Sequence, residues 1–163
     1  MMTSTYVLKH TINMAHDILT TYLGDLEDAD LLLRPVSGMN HIAWQLGHLI
    51  ASEHKMMTDA GFTMPGLPDG FAESYTKETS GSDDAAKFLG KDEYLQCMGK
   101  QREATLKHLE AAADADLTRP SPESIRAYAP TIGALFSLIG MHTMMHAAQF
   151  VAVRRKLSKP VTI

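Results

Sequence analysis

Residues 131–157 read TIGALFSLIGMHTMMHAAQFVAVRRKL, and this stretch decides the fold class. Its apolar side chains recur at spacings of three and four, which is the pattern of one face of an α-helix. Thr131 is a residue type that caps helices, so the pattern predicts a helix from there to the end of the stretch. The apolar stripe of this helix also carries His142, His146 and Gln149.

Three further long helices are predicted upstream, over about 6–26, 41–60 and 91–113, with Asn40 as the N-cap of the second. No segment of five or more residues alternates cleanly between apolar and polar side chains, so no strand is predicted. Four helices of about 20 to 27 residues without an internal repeat predict an all-α protein, a four-helix bundle whose facing helices can build a site in the core. Residues 61–82 contain too many Pro and Gly for a helix and predict a long irregular loop after the second helix.

Composition narrows the classes of protein. The chain has 163 residues and a mass of 17.9 kDa, which predicts one domain over 1–163. A net charge of −4 with scattered basic residues makes nucleic acid an unfavourable partner. The single cysteine excludes an internal disulfide framework, and the first residues lack the pattern of a signal peptide, so we expect a cytoplasmic protein. The apolar run 132–141 is too short to span a bilayer, so no membrane is expected.

The histidine pair in the last helix raises the possibility of a metal site. Two histidines at i and i+4 can both direct a nitrogen to one ion at about 2.0 to 2.1 Å. Buried core histidines that are hydrogen-bonded within the protein would show the same spacing. The residue after His142 is not glutamate, so the pair is not the HExxH motif of a metalloprotease. A third ligand must come from another helix, where His48 has apolar neighbours. The other histidines (His10, His16, His41, His54 and His108) are expected at helix ends or on the surface.

Three segments carry a resemblance to a known family: GHLIASE at 47–53, TLKHLEAAADADLTRP at 105–120 and HTMMHAAQFVAVRR at 142–155. In order and spacing they resemble the DinB/YfiT-like family of small helical metalloproteins, over nearly the whole chain. The resemblance implies a four-helix bundle, often a homodimer, with one divalent ion held by one histidine of the second helix and the pair of the fourth. Carried over to this sequence, the ligands are His48, His142 and His146. Ala148 departs from the family, where Gly is common before the glutamine.

Three imidazoles suit Zn, Ni, Co or Fe(II), and affinity order alone does not choose among them. Gln149 lies one turn beyond His146 and is expected to hydrogen-bond a ligand ring or a metal-bound water, or else to link two helices. Trp44 is expected to wall the pocket or to belong to the core. Glu53 lies about 140° around the helix from His48, so we expect it to pair with a basic residue or to lie at a subunit contact.

Two kinds of function follow from the resemblance. One is an enzyme acting on a small-molecule substrate, either a metal-dependent hydrolase or a transferase that activates a low-molecular-weight thiol, with the loop 61–82 lining or covering the entrance. The other is a non-catalytic metal-binding or stress-related scaffold dimer. A site that keeps an open coordination position beside a cavity favours the enzyme.

Overall fold

A computed structural model describes residues 3–161. The chain forms four long helices: α1 (Ser4–Leu23), α2 (Ile42–Asp59), α3 (Lys91–Ala111) and α4 (Ile132–Lys156). Short helical turns lie between them, at Asp28–Leu32, Phe71–Ser74, Lys77–Thr79, Ala85–Lys87 and Asp114–Leu117. Within the described residues there is no strand, only an isolated bridge between Pro120 and Thr131. The predicted all-α class is confirmed.

The helix ends follow the capping residues of the sequence, with one exception. Thr131 caps α4 as predicted, because its side chain accepts a hydrogen bond from the backbone N–H of Ala134. The prediction of Asn40 as the cap of α2 was wrong. His41 is the cap, and its Nδ1 accepts from the backbone N–H of Trp44 at 3.1 Å. His41 therefore lies at the helix end, which was one of the two expectations for it, and its full burial excludes the other, a surface position.

Each long helix has two neighbours among the other three. α1 packs along α4 and also touches α3, whereas α2 contacts both α3 and α4. Gly140 permits the α1–α4 approach, since a Cβ there would lie 3.3 Å from Thr11 Cγ2 and 3.4 Å from the Ile12 backbone. This is the neighbour pattern that a four-helix bundle produces.

By length and composition alone, α4 could cross a membrane. Core helices of soluble proteins meet the same criterion, and α4 packs along α1. The composition of α4 is therefore weak evidence for a membrane span.

The core consists of two apolar clusters with polar side chains between them. One cluster holds Leu19, Ile50, Met98 and Phe150, and the other holds Ile12, Met57, Leu109 and Ile139. Between the two clusters, α1, α2 and α3 contribute His16, Glu53, Arg102 and Thr105, which we call the polar layer. Thr105 Oγ1 donates to Glu53 Oε1 at 2.5 Å, and Arg102 Nη1 is buried without a partner among the described residues.

Burial dominates the titration of the polar layer. It raises the pKa of Glu53 from an ordinary 4.5 to about 7, against the opposing effects of the Thr105 hydrogen bond and the charge of Arg102. Burial, aided by Arg102, lowers the pKa of His16 to about 4, although a surface position was expected for this residue. Glu53 was expected to pair with a basic residue or to lie at a subunit contact, but its hydrogen-bond partner is Thr105, and Arg102 acts on it only through its charge.

The raised pKa of Glu53 predicts a pH effect on stability. Folding favours the protonated carboxyl, so this contribution is fully present below about pH 4.5 and is lost as the pH rises through 7. Relative to Glu53→Gln, the free energy of unfolding of the unmodified protein should fall by about 1 to 3 kcal/mol between pH 5 and pH 8. The free energies of unfolding are measured by urea unfolding in the presence of a chelator. The histidines contribute equally to the pH dependence of both proteins, so their contributions cancel in the difference.

Glu103→Gln, on the exposed face of α3, is the matched control and should follow the unmodified protein at every pH. Stability curves of Glu53→Gln that also run parallel to those of the unmodified protein would show that Glu53 titrates normally.

Candidate metal centre

Three histidine rings from two helices converge between α2 and α4. The centroid of the His48 ring lies 5.2 Å from that of His142 and 5.3 Å from that of His146. The centroids of the His142 and His146 rings are 4.8 Å apart. One nitrogen of each ring lies within 4.8 Å of the other two, which makes this a group that could hold a metal ion. The structure therefore brings together the three residues named from the sequence. We call them the His triad.

The spacing of the nitrogens suits a transition-metal ion. Nε2 of His142 and Nε2 of His146 are 3.2 Å apart. Two imidazole nitrogens bound tetrahedrally at about 2.05 Å would be separated by about 3.3 Å. The pair is thus near its coordinating distance, and the donor set consists of uncharged nitrogens, which Zn, Ni, Co and Fe(II) accept.

The outer nitrogen of His146 is held by a residue that the sequence did not indicate. Gln45 Nε2 donates to the carbonyl oxygen of Asn40 at 2.7 Å, which leaves Gln45 Oε1 facing His146 Nδ1 at 2.8 Å. Nδ1 therefore carries the proton of the neutral ring, and the lone pair of Nε2 points toward the triad. Fixing the tautomer of a ligand ring is the usual task of such a partner. Gln149 was expected to bond a ligand ring or a metal-bound water, or else to link two helices; at His146 Nδ1 the partner is Gln45 instead.

His48 is braced on two sides. The Trp44 ring stacks on it with centroids 4.9 Å apart and planes inclined by 8°. A backbone hydrogen bond at Tyr75 raises the pKa of His48, although burial lowers it more. Tyr75 can lie this close because residue 47 is glycine, where a Cβ would come within 2.1 Å of the tyrosine ring. Trp44 is buried in the core, which was one of the two expectations for it, and its ring stacks directly on that of His48. It is not among the described residues that line the neighbouring cavity, so the pocket-wall expectation is not met there.

The long segment after α2 is fastened to the start of that helix. His41 Nε2 lies 3.0 Å from the Ser82 carbonyl oxygen, and Trp44 Nε1 donates to Thr79 Oγ1 at 3.2 Å. The hydroxyls of Tyr75 and Tyr94 are 2.7 Å apart, which ties the same segment to α3. The segment therefore supports His48 through Trp44 and Tyr75.

A cavity of about 300 Å³ opens beside His48 and His142. Among the described residues, its lining comes from α2, α4 and the connector 118–130, which contributes Ser124, Ile125 and Tyr128. No residue of the loop 61–82 is among the described residues that line this cavity, so the expectation that the loop lines its entrance is not met there. The connector was not recognised as functional in the sequence, and its prolines gave only a turn signal.

Burial keeps the triad uncharged. Burial, aided by the neighbouring rings, lowers the pKa of His142 to about 4 and that of His146 to about 3. Burial likewise lowers the pKa of His48. All three imidazoles are therefore neutral near pH 7, which is the form that coordinates a metal ion.

The basic residues at the end of α4 do not belong to this site. Arg154 is buried and donates to the Asp25 carboxylate and, at 2.8 Å, to the Tyr22 carbonyl oxygen. It fastens the end of α4 to the end of α1. An acidic substrate at the triad would not meet this guanidinium.

Comparisons with known proteins agree with the fold. The sequence profile described as the DinB superfamily matches residues 11–150. A conserved protein from Enterococcus faecalis, known from its crystal structure, is 13% identical and superposes with a TM-score of 0.68, covering 98% of this chain and 100% of that chain. At this identity the likeness shows the fold alone. No curated protein matches the chain significantly. The resemblance drawn from the sequence is confirmed.

The Gln45 contact predicts an effect on metal affinity. Gln45→Ala removes the acceptor at His146 Nδ1, so the ring loses its fixed tautomer and orientation, and zinc affinity should fall about 10- to 100-fold. Competition with a chromogenic chelator measures this change.

Gln101→Ala is the matched control for this experiment. Gln101 is as buried as Gln45, each 1% exposed, but it contacts His54 and Pro65 instead of the triad. Equal losses of zinc affinity in the two variants would show that general destabilisation, not the His146 contact, is responsible.

Proposed function

The chain belongs to the DinB superfamily, and from this premise we propose that it binds one divalent transition-metal ion through the His triad and acts on a small-molecule substrate there. The observation that carries the proposal is the position of the triad: three neutral imidazoles meet, and two of them face a cavity. A structural site closes its coordination sphere, whereas a catalytic one keeps a position open beside a pocket.

The surrounding residues hold the ligands in place for this chemistry. Gln45 keeps the His146 lone pair directed inward, and Trp44 and Tyr75 fix the plane of His48. When bound, such an ion lowers the pKa of a water or thiol that it coordinates and polarises a substrate carbonyl. The three imidazoles that would hold the ion are uncharged, so the chain's own donors would not offset its charge.

Two reaction types use this arrangement: a metal-dependent hydrolase, and a transferase in which a low-molecular-weight thiol is the nucleophile. The alternative to both is a non-catalytic metal-binding or stress-related scaffold dimer. Such a protein would need the ion but not the cavity, so the cavity beside His48 and His142 favours the enzyme.

The ligand assignment predicts the metal content of the purified protein. Elemental analysis should find about one divalent transition metal per chain, and His142→Ala should lose it because two imidazoles hold such an ion far more weakly than three. Circular dichroism should show an unchanged helical signal, since His142 is only half-buried and caps no helix.

His54→Ala is the matched control for His142→Ala. It removes a half-buried histidine from α2 that contacts Gln101 and lies outside the triad, and it should keep its metal. If His142→Ala keeps as much metal as His54→Ala does, the assignment is wrong.

A homodimer is part of the proposal. Of the seven large apolar side chains that the described residues expose, five lie on the neighbouring helices α1 and α4: Tyr6, Val7, Met14, Met141 and Met145. Exposed apolar side chains gathered on two neighbouring helices are typical of an interface. A second copy of the chain, with the same face, would cover it.

This face predicts the oligomeric state. Light scattering should give twice the 17.9 kDa chain mass for the unmodified protein and the single-chain mass for Met141→Lys combined with Met145→Lys, because two charges per chain would be buried without partners. Val36→Lys, at another exposed apolar residue, should remain dimeric. A single-chain mass for the unmodified protein would rule out the dimer.

A further inference from the structure

The cavity beside the His triad has walls of a definite chemical character. Met56 of α2, Leu138 of α4 and Ile125 of the connector form apolar surfaces, and Tyr128 stands at the mouth, 81% exposed. The polar side chains of the lining are the rings of His48 and His142, the hydroxyls of Ser52 and Tyr128, and a rim cluster of Lys55, Asp59 and Ser124.

The two charged residues of the rim cluster form an ion pair with each other. Lys55 and Asp59 are the charged residues among those that line the cavity in the described part of the chain. Lys55 Nζ lies 2.8 Å from Asp59 Oδ2, and Ser124 Oγ donates to the same oxygen at 3.2 Å. Both charges are thus neutralised within the protein. The cavity lining therefore presents no net charge that would attract an ionic substrate group.

The connector wall has its own supports. Arg126 Nη2 donates to the Ser121 carbonyl oxygen at 2.8 Å, and the Ser121 N–H donates to the Pro130 carbonyl oxygen at 3.1 Å. Ile125 is therefore presented on a closed turn that Ser124 also ties to α2. The wall is a defined surface, which can discriminate between substrates by shape.

We infer that the site selects a substrate whose body is uncharged and apolar, of about the size of one aromatic ring or a short alkyl chain, with its reactive polar group directed to the His triad. This inference rests on the proposed function. A cavity of about 300 Å³ has room for such a group, since a cavity of about 150 Å³ accommodates benzene. The driving force is release of water from Met56, Ile125 and Leu138.

The test uses three small hydroxamates, which share one metal-binding group, on the zinc-loaded full chain. Acetohydroxamate carries a methyl group, benzohydroxamate a phenyl ring, and 4-carboxybenzohydroxamate a charged ring. Calorimetry should show benzohydroxamate binding at least about tenfold more tightly than acetohydroxamate, because the ring buries more apolar surface. The carboxylated probe should lose about tenfold relative to benzohydroxamate.

Ile125→Ser locates the effect. It should reduce the preference for benzohydroxamate over acetohydroxamate by about threefold or more while leaving acetohydroxamate affinity unchanged, which shows that the variant is folded and loaded with zinc. Val36→Ser, an exposed apolar residue outside the cavity lining, should leave the preference intact.

The outcomes separate the two hypotheses. If the three probes bind zinc-loaded protein with equal affinity, or if Ile125→Ser leaves the preference unchanged, the inference about the substrate is wrong and the metal site stands. If the chain takes up no zinc, or if loaded protein binds none of the probes, the proposed function is wrong and the inference falls with it.

Discussion

The contact between Gln45 and His146 is the constraint on which the site depends. His146 is buried where α2 meets α4, and a buried imidazole needs a partner for each polar nitrogen. Gln45 supplies one because its own amide nitrogen is tied to the Asn40 carbonyl oxygen at the entrance to α2. The start of one helix thereby determines which nitrogen of a ring on another helix faces the triad. His41, as the cap, fixes where α2 begins, so the geometry of the triad follows from the first turn of α2.

The two long connections serve the site differently. The segment after α2 lies behind His48, where Tyr75 fits against Gly47 and Thr79 holds the Trp44 indole. It supports the His48 ring without lining the cavity. The connector before α4 forms a wall of the cavity through Ile125 and, under the proposed function, would face the substrate. Changes in the first segment should alter metal binding, and changes in the second should alter which molecules bind.

Much of this architecture could be predicted because it is encoded locally. Helical spacing placed His142 and His146 on one stripe, and the apolar neighbours of His48 marked it as an inward-facing residue. The failures involve contacts between distant parts of the chain. Gln45 and His146 are 101 residues apart, so nothing near either one distinguishes Gln45 from Gln149 as the partner. The side of the site on which the loop 61–82 packs depends on a glycine in α2, and Gly47 carries no local signal of that role.

Glu53 and His48 show how one helix keeps two kinds of buried polar group apart. Five residues separate them, which turns Glu53 about 140° away from His48, toward Thr105 of α3. A carboxylate beside the triad would complete the coordination sphere and offset the charge of an ion. With Glu53 facing α3, the triad keeps three neutral donors and an open side at the cavity. The polar layer costs stability when Glu53 ionises, whereas metal binding adds stability in proportion to the logarithm of the free ion concentration. Because the two groups face different helices, the protonation of Glu53 can change without altering the ligands, and the site can bind its ion over a pH range in which the core itself titrates.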